Sequence, residues 1–233
     1  MEPATPTIET ALGEFLEDQR ARLATRTFER YRDIVELLTH CLNEYGHQAL
    51  DRSERRRFEK AYTSDPEAFS RLFGPDKILD NYGEFLGYFM IRKVGYGGET
   101  LMQAAGTVTK KLAKWLVERG YVDPQEGEVA ELGAAEAAHD LPRAERLSQA
   151  LFELAHRGPG ALIDPNELSD EDYQEDHMQI SRVEPGKLWF DGHGPVAVPR
   201  SVSDLAQDGW YAYVELGRTR KGWVLLGCGS VYP

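Results

Sequence analysis

The spacing of apolar residues changes once along this chain, and that change limits the folds open to it. From Ile8 to Leu154 apolar side chains return at helical intervals. From His177 onward they alternate. A period near 3.6 buries one stripe of a helix, and a period of two buries one face of a strand. The chain therefore divides into a helical part and a β-rich part that follows it.

The helical part reads as four main helices. Thr5 and Pro6 suit a first N-terminus, followed by Ile8, Leu12, Phe15, Leu16 and Leu23. A second helix carries Phe28, Tyr31, Val35, Leu38 and Leu42 and stops near Gly46. A third follows Gly74-Pro75 with Ile78, Tyr82, Phe85, Leu86 and Phe89, and ends at the loop Gly95-Tyr96-Gly97-Gly98. A fourth starts at a capping box of Thr100 and Gln103 and ends at Gly120. Ser64-Asp65-Pro66-Glu67 has the spacing of another capping box, ahead of a short helix. Gly13-Glu14-Phe15-Leu16 recurs as Gly83-Glu84-Phe85-Leu86, so the helices form two hairpins that are either duplicated or convergent in register.

Charge sharpens the division. The net charge is -12. Residues 1–123 carry 18 Lys+Arg against 20 Asp+Glu, residues 124–176 carry 3 against 14, and residues 177–233 carry 6 against 5. The acidity thus belongs to the middle, which predicts three parts: a helical domain 1–124, a helical and acidic connector 125–176, and a small β-barrel 177–233. In the connector, Glu126 to Ala138 and a second segment from Asp140 and Pro142 through Leu154 read as helices. Asp164, Asn166, Asp172 and Glu175 have partial calcium-loop spacing, but Ser169 stands where that loop needs glycine. A solvated acidic run is the expectation, without a metal.

The residues Thr27, Phe28, Tyr31, Ile34, Val35 and Leu38, then Ile78, Phe85 and Leu86, then Thr100, Val108, Leu112, Trp115, Leu116 and Gly120 to Pro124 form a pattern. It resembles the N-terminal core-binding domain of phage-integrase-type tyrosine recombinases. The resemblance covers roughly residues 7–124. It implies a SAM-like helical bundle that grips one face of double-stranded DNA. It does not extend to a recombinase catalytic domain. None of His40, His47, His139, His156, His177 or His193 has Arg three residues on, and nothing near Tyr232 could activate it as a nucleophile.

Candidate phosphate contacts are Arg52, Arg55, Arg56, Arg57 and Lys60, of which Arg52, Arg56 and Lys60 share a helix face, and Lys110, Lys111 and Lys114 on the fourth helix. Interleaved Asp51, Glu54 and Glu59 allow the plainer reading of a solvated face.

The β-rich part holds five short strands, which fit a barrel of SH3-like or OB-like kind, SH3-like on size. Trp210 and Trp223 are expected in its core. Tyr211 and Tyr213 share the outward face, and Arg218, Arg220 and Lys221 lie in a turn from Gly217 to Gly222. Those five residues are the candidate ligand surface. No Cys-x-x-Cys, His-Glu-x-x-His, Gly-x-Ser-x-Gly or Walker A pattern occurs, so no enzyme activity or cofactor is expected. The absence of a signal peptide or a long apolar run predicts a cytoplasmic protein without membrane contact. The leading expectation is a non-enzymatic binding or accessory protein, for which double-stranded DNA is one candidate partner. The alternative is a protein-interaction adaptor using the barrel.

Overall fold

A computed structural model describes residues 6–94 and 98–233. Thr5 and the loop residues Gly95, Tyr96 and Gly97 lie outside the described residues. The chain divides into two units, Met1–His139 and Asp140–Pro233.

The first unit is helical. It contains α1 (Ile8–Arg20), α2 (Thr25–Tyr45), α3 (Arg52–Tyr62), α4 (Ala68–Leu72), α5 (Asp76–Asp80), α6 (Tyr82–Glu84), α7 (Met90–Arg92), α8 (Gly98–Glu118) and the first part of α9 (Pro124–Arg157). The fully buried Ile8, Phe15, Ile34, Leu38, Leu42, Phe69, Phe85, Leu112 and Leu116 form its core. These are largely the periodic residues, because each amphipathic stripe must be covered.

Several helix ends differ from expectation. Thr7 caps α1, accepting from Thr10 N at 3.2 Å. Asp65 accepts from Glu67 N at 2.9 Å in a short turn, and α4 begins later without a side-chain cap. Thr100 sits inside α8, which starts at Gly98. The third helix is not continuous: it breaks at Asn81, and a π-helical turn over Phe85–Phe89 separates α6 from α7.

The acidic middle also folds differently. Its two expected helices are one, α9, with Pro142 inside it. Proline lacks the N–H that would reach back one turn, so the helix runs on with a bond missing. The unit boundary falls within α9, between His139 and Asp140.

The second unit is a closed barrel of β1 (Tyr173–Glu184), β2 (Lys187–Phe190), β3 (His193–Ala197), β4 (Tyr211–Thr219) and β5 (Gly222–Tyr232). The strand order is β1-β2-β3-β5-β4, with β4 closing on β1 and β3 parallel to β5. Three consecutive strands followed by a fourth that returns beside the first make a Greek key. The short α10 (Arg200–Ser203) bridges β3 and β4. The second part of α9 packs Ala144, Leu147, Leu151 and Ala155 into the barrel core with Ile180, Leu188, Phe190, Val214 and Leu225. Glu175 and Asp176, expected in a solvated run, belong to β1, because their neighbours pair with β4. Gly217 and Arg218 are strand residues, leaving Arg220 and Lys221 as the hairpin tip.

Candidate functional site

The sequence-derived candidates fall in three places. On α3, Arg52, Arg55, Arg56, Arg57 and Lys60 are all exposed. A capping box holds the helix start: Asp51 accepts from Ser53 N at 2.6 Å and Glu54 N at 2.8 Å, and Glu54 accepts from Asp51 N at 3.0 Å. Arg55 donates to the carbonyl of His47 at 3.2 Å, and the Arg57 guanidinium lies 6.0 Å from the Phe73 ring centre. Arg52, Arg56 and Lys60 make no ion pair or hydrogen bond among the described residues. On α8 the cations are mostly paired, Lys110 with Glu131 at 3.8 Å and Lys114 with Glu118 at 3.9 Å, while Lys111 faces solvent.

On the barrel, Tyr211 and Tyr213 do point outward from β4. Tyr213 donates to the Glu175 carboxylate, to which Tyr173 also donates at 2.9 Å, and its ring meets His177 at 5.3 Å. The two phenols hold the Glu175 carboxyl below the usual carboxylate range. Tyr211 is 46% exposed. Arg218 stands at the other end of β4, seven residues or about 23 Å along the strand. The tyrosines and the basic tip therefore do not form one surface.

A different set comes together instead. Leu188 and Phe190 of β2 fill the barrel, which turns Trp189 outward. Its cross-strand partner on β1 is Arg182, whose guanidinium lies 4.8 Å from the ring centre. The ring also rests on Gly194 of β3, where an added Cβ would fall 2.6 Å from the Trp189 Cδ1. Gly194 has φ 155°, so glycine satisfies both the backbone and the close approach.

The residue before Gly194, His193, belongs to a second aromatic group. His193 meets the Trp223 ring of β5 edge-on, with centres 5.0 Å apart. Trp223 pairs across strands with Arg218, whose guanidinium is 5.9 Å from its ring centre. Trp223 is half-buried at the start of β5, not a fully enclosed core residue like Trp210. Two aromatic–cationic groups result: Arg182 and Trp189 over Gly194, on β1, β2 and β3, and His193, Trp223 and Arg218, on β3, β5 and β4. Lys187, Arg220 and Lys221 are exposed on the same β2 strand and the β4–β5 tip. Arg182 is shared with Glu184. The two partners of Trp189 come from other strands, which the alternation within β2 does not reveal.

Chemically, the two groups each offer an indole with a guanidinium beside it, with further cations on the same strands and hairpin tip. Such a surface takes flat π systems and anions together. Among the described residues no group of His, Cys, Asp and Glu has the arrangement to hold a metal ion. Both cysteines are free, and burial pushes the Cys41 and Cys228 thiols up to about 12. No described helix is long and apolar enough to cross a membrane. Comparison with protein-family models, with curated proteins and with solved structures finds no match.

Proposed function

We propose that this is a non-enzymatic nucleic-acid-binding accessory protein whose barrel holds single-stranded nucleic acid. The observation that carries this reading is the presence on the barrel of two aromatic–cationic groups, Arg182–Trp189 and His193–Trp223–Arg218. Unpaired bases expose π faces that stack on indoles, and the flanking phosphates favour guanidinium and ammonium groups. Duplex bases are already stacked and cannot use the tryptophans. The Greek-key order supports an OB-like barrel over an SH3-like one. Barrels of that kind bind oligonucleotides on the strand 2–3 face and at the loops joining strands 1–2 and 4–5. Here those places hold Lys187, Trp189, Arg220 and Lys221.

The test is a fluorescence anisotropy titration with oligo(dT) and with a duplex, over a range of salt. Single strand is expected to bind better, with affinity falling as salt rises. Trp189→Ala removes an outward ring and is expected to cost about 1–3 kcal/mol of binding. Absence of binding to either nucleic acid at low salt overturns the reading.

A second reading has its own observation. The exposed, unpaired row Arg52, Arg56 and Lys60 on α3 suits duplex phosphates. It is what the likeness of the helical unit to a SAM-like recombinase core-binding domain would use. Preference for duplex, abolished by charge reversal of those three residues and untouched by Trp189→Ala, would favour it.

A further inference from the structure

The strongest unexplained feature of the helical unit is a groove of about 610 Å³ lined by α1, α2 and the residues Tyr62, Pro66 and Glu67 that lead into α4. Its floor is apolar, with Leu12, Leu16 and Val35. Its rim carries Glu9, Glu36, Glu44 and Glu67, and no Lys or Arg lines it. Cations do stand behind the rim, but they are outnumbered. Arg71 serves Glu9, Asp65 and Glu67 together, and Arg32 serves Asp33 and Glu36. Among the described residues Glu44 pairs with His40 at 3.4 Å, and the exposed Lys93 acts on it from farther away. The rim stays anionic after its internal pairs are counted.

Asn43 provides an independent pointer to a ligand. It lines the groove and is only 8% exposed. Its Oδ1 is fixed by the N–H of Ser70 at 3.0 Å, which sets the orientation of the carboxamide. Its Nδ2 has no acceptor among the described residues. No buried side-chain polar atom among the described residues lacks a partner, so Nδ2 is not sealed inside and is open to the groove. A carboxamide held in one orientation at the groove wall, with its N–H donors accessible, is placed to donate to a carbonyl of whatever occupies the groove.

We propose that this groove binds a basic peptide segment of a protein partner, with apolar side chains interleaved between Lys or Arg. The apolar side chains lie on Leu12, Leu16 and Val35. The cations meet the four glutamates, and a peptide carbonyl accepts from Asn43 Nδ2. Nucleic acid is disfavoured here, because the rim repels phosphate. The proposal is independent of the barrel, so an accessory role would join a nucleic-acid surface to a partner-docking groove.

The test uses the full chain, labelled with ¹⁵N and methyl ¹³C. One probe is a short peptide of Leu and Lys, and the other is the same peptide with Glu for Lys. The basic peptide is expected to shift the Asn43 side-chain NH₂ pair and the Leu12, Leu16 and Val35 methyls, and the acidic one is not. Charge reversal by Glu36→Lys with Glu44→Lys, both on the exposed side of α2, is expected to weaken binding about tenfold or more. Glu128→Lys, on the exposed surface of α9, serves as the charge control and should leave it within about twofold. Shifts confined to other surfaces, equal binding of both peptides, or equal weakening by the control would each overturn the proposal. The oligo(dT) titration reads the barrel separately, so either reading can fail alone.

Discussion

A single glycine shows how context sets the sign of a substitution. Gly106 lies in α8 where α9 crosses it. An added Cβ there would fall 2.3 Å from the Ala138 N and 2.7 Å from the Ala134 carbonyl oxygen, both backbone atoms. Backbone cannot rotate away as a side chain can. Alanine gains up to about 1 kcal/mol over glycine in a helix interior, but the overpacking costs about 1–3 kcal/mol. Gly106→Ala is therefore expected to lower the urea midpoint. Gly13 in α1 has nothing within 4 Å of an added Cβ. The same change there should stabilise by about 0.5–1 kcal/mol. A destabilised Gly13→Ala, or a Gly106→Ala as stable as the parent, would contradict this packing. The glycines were visible in the sequence, but their opposite surroundings were not.

Thiol chemistry belongs at the same scale. Burial is the main cause that raises Cys41, with Glu84 and Glu44 adding to it. A thiol that titrates near 12 supplies almost no thiolate at neutral pH. Ellman's reagent at pH 8 is expected to leave both cysteines unmodified in the folded chain and to label both in denaturant. Rapid labelling of the native protein would show the sites to be open.

Among the elements, α3 depends on its N-terminal cap. It has Phe58 as its buried residue, and its other positions are largely exposed. Little packing holds it, so the Asp51–Glu54 capping box matters more than in α2 or α8. Asp51→Ala is expected to cost about 1 kcal/mol and to raise amide exchange over Arg52–Tyr62. Unchanged exchange there would show that the cap is dispensable. The capping box of α3 was not anticipated, although Asp51 and Glu54 have its spacing. Pattern alone proposed such boxes at Ser64–Glu67 and Thr100–Gln103 instead, and neither forms. A cap needs the chain to enter the helix in extended geometry at that residue, which neighbouring elements decide. The π-helical turn at Phe85–Phe89 has the same character. Its residues fit an α-helix, and the burial of both Phe85 and Phe89 is what the structure adds.

For the whole molecule, the pH dependence of stability follows from which protons the folded state keeps. Cys41 and Cys228 rise from 9.0 to about 12, and the buried Tyr82, whose hydroxyl donates to the Thr109 carbonyl at 2.9 Å, is also raised. Above pH 9 the unfolded chain releases these thiol protons while the folded chain retains them. Unfolding then releases protons, so stability falls as pH rises from about 9 toward 12. On the acid side the signs reverse. Backbone N–H groups of Glu54 and Ser53 hold Asp51 low, and Glu67 N holds Asp65 low. That stability is present above about pH 4 and is lost as pH falls below it. Thermal midpoints across pH should show a plateau between the two declines. A midpoint that climbs from pH 9 to 11 would contradict the buried state of the thiols.

The sequence by itself determined the change from helix to strand, the stripes that fill each core, the outward facing of Tyr211 and Tyr213, and the concentration of net negative charge in residues 124–176. These are local properties, because side-chain direction follows from backbone period within a few residues. Only the tertiary structure decided the Greek-key strand order, the union of two expected helices into α9, and the start of β1 inside the acidic run. It also placed Arg182 and Gly194 on either side of Trp189, and left Asn43 with an open donor between α1 and α2. Each of these depends on register and close approach between segments distant in the chain, which no local pattern specifies.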